Sequence, residues 1–310
     1  MNHAVDTRRV LIYLAFAFGI AWVASLVIAL TGGLVDSPVV LPELGVSLAL
    51  VLLTGPVMWA PAIAHVLTRL ITREGWERAF LRPKVKEAWP TWVAAWLLPA
   101  VLTIAGAVAF FALLPRYYDP SLTTLRQMVA ETVPEGLEEL NLWTLVAVQV
   151  AQAVLIAPIL NGLATFGEEF GWRAYLQPKL MGLGKRRAFL LTGVIWGVWH
   201  WPVILMGYNY GFDYPGAPFL GPLAMVWFTV TVSVLLGWLT VRAGSVWPAT
   251  IGHGALNGVA ALGLIFVEGT PNTLLGPTPV GLVGGLGFTM AAAVILLLLD
   301  DRSGEGKTGT

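Results

Sequence analysis

Val10–Leu30 reads "VLIYLAFAFGIAWVASLVIAL", an unbroken apolar run with no charged residue. At about 1.5 Å rise per helical residue it is long enough to cross a hydrocarbon layer about 30 Å thick. Arg8 and Arg9 stand just before it, as in a secretory leader, but the run is too long for one and further spans follow, so it reads as a retained first span. The same template fits seven more segments, at about 46–68, 90–114, 143–167, 188–206, 221–241, 246–267 and 280–299. The expected fold is an all-α, polytopic transmembrane helix bundle of about eight spans. Residues 1–310 form a single integral membrane domain ending in a polar cytoplasmic tail, 301–310.

Composition agrees. Of 310 residues, 57% are hydrophobic and 12% charged, against about 45–50% and about 25% in soluble domains. The chain has no cysteine, so disulfides, thiol chemistry and cysteine-held metal are excluded. Its net charge is zero, with no basic excess to suggest a nucleic-acid partner. Lys and Arg collect on cytoplasmic loops. With both termini inside, only Arg116 and Arg126 of the 18 basic residues fall outside. The outer loop 115–142 is acidic, with Asp119, Glu131, Glu135, Glu138 and Glu139, and has room for an interfacial helix. The basic loop 69–86 reads as a topology determinant, and most of the tryptophans as interfacial belt residues.

Ionisable groups inside spans are costly and usually face a cavity or the bundle interior. Here they are few. "FGEEFGWRAYLQPKL", Phe166–Leu180, ends the fourth span with Glu168 and Glu169. "GVIWGVWHWP" places His200 in the fifth span, and "PATIGHGALNGVA" places His253 and Asn257 in the seventh. Glu169 and Arg173 are four residues apart in the order that favours a helical ion pair, which leaves Glu168, rotated about 100° away, free to point inward. His253 and Asn257 share one helix face. Gly193 with Gly197, and Gly254 with Gly258, permit close helix approach. Pro158 is expected to bend the fourth span before the glutamates.

These residues are expected to line one water-filled pocket in the cytoplasmic half of the membrane. A carboxylate beside a neutral imidazole is a general-base pair for water. A second imidazole and an amide can stabilise an oxyanion. The chemistry that fits is peptide hydrolysis. Plainer readings stand beside it: the acids as a solvated span end, His200 as part of an interfacial aromatic cluster, His253 and Asn257 as interhelical hydrogen-bond glue. His65 reads as structural, and Gly207–Phe219 as a connecting loop.

"EEFGWR", "WGVWH" and "HGALN", in this order on successive apolar helices, resemble the EExxxR, FxxxH and HxxxN motifs of the CPBP family. That family includes the type II CAAX prenyl proteases and the ABI bacteriocin-processing or self-immunity proteins. The resemblance covers about 166–258 and departs at Trp196, where the family usually has Phe. It implies an intramembrane protease of the plasma membrane, with a catalytic core at about 143–267. Glu168 is implied as the water-activating base beside His200, and His253 and Asn257 as the oxyanion site. Glu169, Arg173 and Trp196 would brace the motif. The substrate would be a membrane-associated peptide or protein, prenylated or bacteriocin-like. Members are often called metalloproteases. No cofactor is required by the residues, and zinc, if held, would take Glu168, His200 and His253. A transporter and a non-catalytic peptide-binding or immunity protein are the alternatives.

Overall fold

The computed structural model describes residues 5–77, 79–132 and 141–300. Arg78, the loop acids Glu135, Glu138 and Glu139, and the tail 301–310 with Arg302 and Lys307 lie outside the described residues.

Among the described residues the chain is an all-α bundle with one small ribbon. Helix α1 (Thr7–Leu30) is followed by strands β1 (Val39–Leu41) and β2 (Val46–Ser47), paired antiparallel. α2 (Leu48–Leu52) continues through a π turn into α3 (Met58–Ile71). α4 (Trp89–Leu113), α5 (Thr123–Thr132), α6 (Leu142–Leu155) and α7 (Ala157–Gly171) come next. A second π turn, Trp172–Leu176, joins α7 to α8 (Gln177–Leu180). Then come α9 (Lys185–Trp199), α10 (Trp201–Leu205), α11 (Leu220–Ala243), α12 (Trp247–Val259) and α13 (Leu286–Leu298). α5 lies within 115–142, the stretch in which the sequence left room for a helix.

Among the described residues, five helical stretches are long and apolar enough to cross a membrane: Thr7–Leu30, Leu48–Ile71, Trp89–Leu113, Leu220–Ala243 and Trp247–Phe266. The bent pair Leu142–Leu155 and Ala157–Leu183 makes a sixth. The other two of the eight expected segments are shorter. Residues 188–206 divide at His200, two residues before Pro202, which has no N–H to continue the helix. The last helix begins at Leu286 rather than near 280, after the glycine-rich stretch 281–285. At about 1.5 Å per residue its 13 residues span about 20 Å.

α11 runs through the middle, buried along most of its length, and packs against α9, α12 and α13. α7 packs against α12 and α3, and α3 against α1. Outward faces carry large apolar side chains, such as Val23, Leu26, Val101, Val108, Leu160 and Leu163. Apolar surface on that scale suits a lipid surround.

Small residues set the helix spacing. A Cβ on Gly197 would stand 2.6 Å from Val226 Cα, and one on Gly254 would stand 2.6 Å from Pro158 O. α9 therefore touches α11 backbone to backbone, and α12 touches α7 likewise. α6 and α7 meet at a 45° bend. Pro158 cannot donate to the carbonyl of Val154, and the indole N–H of Trp96 on α4 takes that carbonyl at 2.7 Å. The expected bend is thus present, with its freed acceptor satisfied from another helix.

A polar knot ties the ends of α1, α3 and α8. Glu74 pairs with Lys179, with Arg9 Nε at 3.5 Å and with Arg69 at 3.6 Å, and accepts from the Tyr175 hydroxyl at 3.2 Å. Burial pushes the Glu74 carboxyl up, but the Lys179 hydrogen bond and the charges of Lys179, Arg69 and Arg9 outweigh it and hold the group below its ordinary value. His65 joins the knot from below. Its Nδ1 bonds Phe170 O at 2.8 Å and its Nε2 accepts from Arg69 Nε at 2.6 Å, so both ring nitrogens serve the structure.

Candidate active site

Polar ties to α12 and close contact with α3 hold α7 in place. Asn161 Nδ2 donates to Gly254 O at 3.1 Å and Thr165 Oγ1 donates to Thr250 O at 3.0 Å. On the other side a Cβ at Gly167 would meet Met58 O at 2.7 Å. Wedged in this way, the last turn of α7 buries both carboxylates, Glu168 at 3% exposure and Glu169 at 0%. Buried carboxylates need partners, and the two find different ones.

Glu169 faces both Arg173 and His253. Arg173 lies in the π turn after α7, fully buried, with Nε 3.2 Å from Glu169 Oε2. The other oxygen, Oε1, accepts from His253 Nδ1 at 2.8 Å. The guanidinium lies over the Trp196 ring, Cζ to centroid 4.6 Å, and the His253 ring meets the same indole edge-on at 5.2 Å. π turns inside helices occur often at functional sites. This one keeps Arg173 beside Glu169 within the interior. The ion pair expected from the four-residue spacing is present, and the contact with His253, on a helix 84 residues away, extends it.

Glu168 points to α9. Its Oε2 accepts from Trp196 Nε1 at 2.7 Å. His200 caps the same helix: its Nδ1 donates to Trp196 O at 2.8 Å, since a carbonyl can only accept. That bond fixes the tautomer and leaves the Nε2 lone pair available when the ring is neutral. Trp196 therefore holds Glu168 with its side chain and His200 with its backbone. His253 lies within charge-interaction range of both Glu168 and His200.

Glu168, Glu169, Arg173, Trp196, His200 and His253 are thus gathered into one connected cluster from three helices. Asn257 lies one turn beyond His253 on α12 with an exposed side chain, and no hydrogen bond joins it to that cluster. Two features escaped the sequence reading. One is the indole N–H of Trp196 as a donor, although the change from Phe to Trp at that position was its visible signal. The other is Tyr208, in the loop after α10, close enough for its phenol to feel the Glu168 charge. The run "GYNYGFDY" (Gly207–Tyr214) is the only hint the sequence offers of it.

Among the described residues no three His, Asp or Glu side chains come together as a metal-holding set. Glu168 Oε2 is engaged by Trp196 and His253 Nδ1 by Glu169. The donor set that zinc would take does not fit such an ion here.

No curated protein matches the chain. Residues 139–259 match the model of the Rce1-like family, described as type II CAAX prenyl endopeptidase Rce1-like. The matched stretch holds α6 to α12, and with them every polar group of the cluster above. By that match and the three motifs within it, this segment is similar to the CPBP family of intramembrane proteases.

Proposed function

We propose that this chain is an endopeptidase that hydrolyses a peptide bond of a membrane-associated peptide or protein, within a catalytic core at about 143–267. The observation that supports it most is the shared anchoring of Glu168 and His200 on Trp196. Oε1 of Glu168 and Nε2 of His200 are the acceptors left for a water molecule.

In this reading Glu168 and His200 take a proton from that water as its oxygen attacks the scissile carbonyl carbon. The carbonyl oxygen gains the negative charge. His253, held by Glu169 through Nδ1, turns Nε2 toward that charge and donates to it as the imidazolium. Asn257 is the second donor, meeting the substrate from the open side of the site. The C–N bond then breaks and the leaving nitrogen receives the proton first taken from water. Arg173 balances the Glu169 charge. No step passes through a metal. The positive-inside distribution of Lys and Arg supports cytoplasmic termini and a site that opens toward the cytoplasmic half of the bilayer, and we place the protein in the plasma membrane.

The test is cleavage of a lipid-anchored peptide by the purified protein in nanodiscs. Wild type cleaves it, and Glu168→Ala and His200→Gln do not. Cleavage that survives both changes overturns the mechanism, and solute uptake by proteoliposomes without cleavage would point to a transporter.

A further inference from the structure

Behind the glutamates, several fully buried polar atoms have no hydrogen-bond partner in the protein. Both terminal nitrogens of Arg173 are among them, although the residue has no exposed surface. The hydroxyl of Tyr13, on α1, is another, also at 0% exposure. The Tyr13 ring packs edge-on against Trp172 at 5.7 Å and at a tilt against Tyr175 at 5.1 Å, one residue before and two after Arg173. Its phenol lies within charge-interaction range of Arg173, Glu169 and Glu168. Trp172 Nε1 is buried and unpartnered too. So is the hydroxyl of Thr192, one turn before Trp196 on the face that meets Arg173.

A buried guanidinium whose terminal N–H groups bond to nothing is too costly to persist in a folded chain. None of these groups hydrogen-bonds another directly, and they are polar donors and acceptors that a water molecule can bridge. We infer that Tyr13 and Arg173 hold an ordered water cluster behind the glutamate pair, and that Tyr13 is a positioning residue of the site. The water satisfies the guanidinium and fixes it over Trp196. Arg173 in turn holds Glu169, and Glu169 holds His253. α1 lies outside the segment that matches the family model, so this gives the first span a part in the chemistry. The positioning half of the inference rests on the peptidase reading, and the hydration half does not.

X-ray-pulse hydroxyl-radical labelling of the full chain in nanodiscs tests it, because radicals form where water is bound. Tyr13 and Trp172 are expected to label despite their burial, while Phe110, equally buried at 0% but on apolar surroundings of α4, stays unlabelled. Tyr13→Phe keeps the ring packing and is expected to lose the Trp172 label. It should lower kcat about tenfold, the loss of one hydrogen bond in a charged network, with KM unchanged. Tyr13 as silent as Phe110 overturns the water site. Tyr13→Phe with full kcat overturns the positioning role. A chain that labels at Tyr13 but cleaves no peptide sinks the peptidase reading and leaves the water site standing.

Discussion

Trp196 donates its indole N–H to Glu168 Oε2 over 2.7 Å, while its own carbonyl accepts from His200 Nδ1 at 2.8 Å. One residue thus fixes a carboxylate from α7 and an imidazole at the end of α9. Where the family pattern has phenylalanine, this chain has a ring of similar packing with one added donor.

Trp196→Phe keeps an aromatic ring under Arg173 and removes that donor. The expected result is a kcat about tenfold lower with KM little changed, because the carboxylate loses its orientation and not its substrate contacts. Steady-state kinetics on the lipid-anchored peptide measure it, and unchanged kcat would show that the bond is idle.

Glu169 sits between Arg173 and His253 with no exposed surface. Glu169→Gln leaves a buried guanidinium without its counter-charge. Removing one partner of a buried pair costs on the order of 3–5 kcal/mol. A clear fall in Tm in detergent is expected, together with lost activity. Full stability with lost activity would instead make Glu169 a purely chemical residue.

The Glu74 knot is pH-dependent. Its carboxyl ionises more readily in the folded chain than in the unfolded one. It therefore favours the folded state at neutral pH, and that contribution is lost as pH falls through the lowered folded value. Wild type is expected to melt above Glu74→Gln at pH 7, with the gap closing as the pH falls below the ordinary carboxylate range. Melting curves across that range decide it, and a gap independent of pH would refute the ionic account.

Gly197 lies where a Cβ would meet Thr229 Oγ1 at 2.5 Å and Val226 Cα at 2.6 Å. Gly197→Ala must push α9 away from α11 or strain both, at about 1–3 kcal/mol. Because His200 follows three residues later, activity should fall along with Tm. An unchanged Tm would mean that the two helices yield at no cost.

The bundle was legible where the physics is local. Long uncharged runs mark most spans within a few residues, and the spacing of Glu169 and Arg173 foretells their ion pair. The proline before the glutamates announces the bend at Ile156. What the sequence hides is tertiary. Nothing in the spacing tells that Glu169 reaches His253 across 84 residues, or that Trp96 on α4 repairs the carbonyl that Pro158 abandons. The last segment reads as a full span because Gly281, Gly284 and Gly285 count as membrane-compatible, yet they do not start the helix. Tyr13 has no sequence mark at all, for in an apolar run a tyrosine looks like any other aromatic.

His200 terminates α9, and its ring takes up the Trp196 carbonyl, which its own backbone N–H, turned to Gly197 O, does not reach. The side chain most tempting to delete in a test of chemistry is therefore also the hook on which a helix end hangs. Alanine there conflates a lost base with a frayed terminus. Glutamine, long enough to offer an amide to the same carbonyl, separates the two losses and is the sounder inactive control.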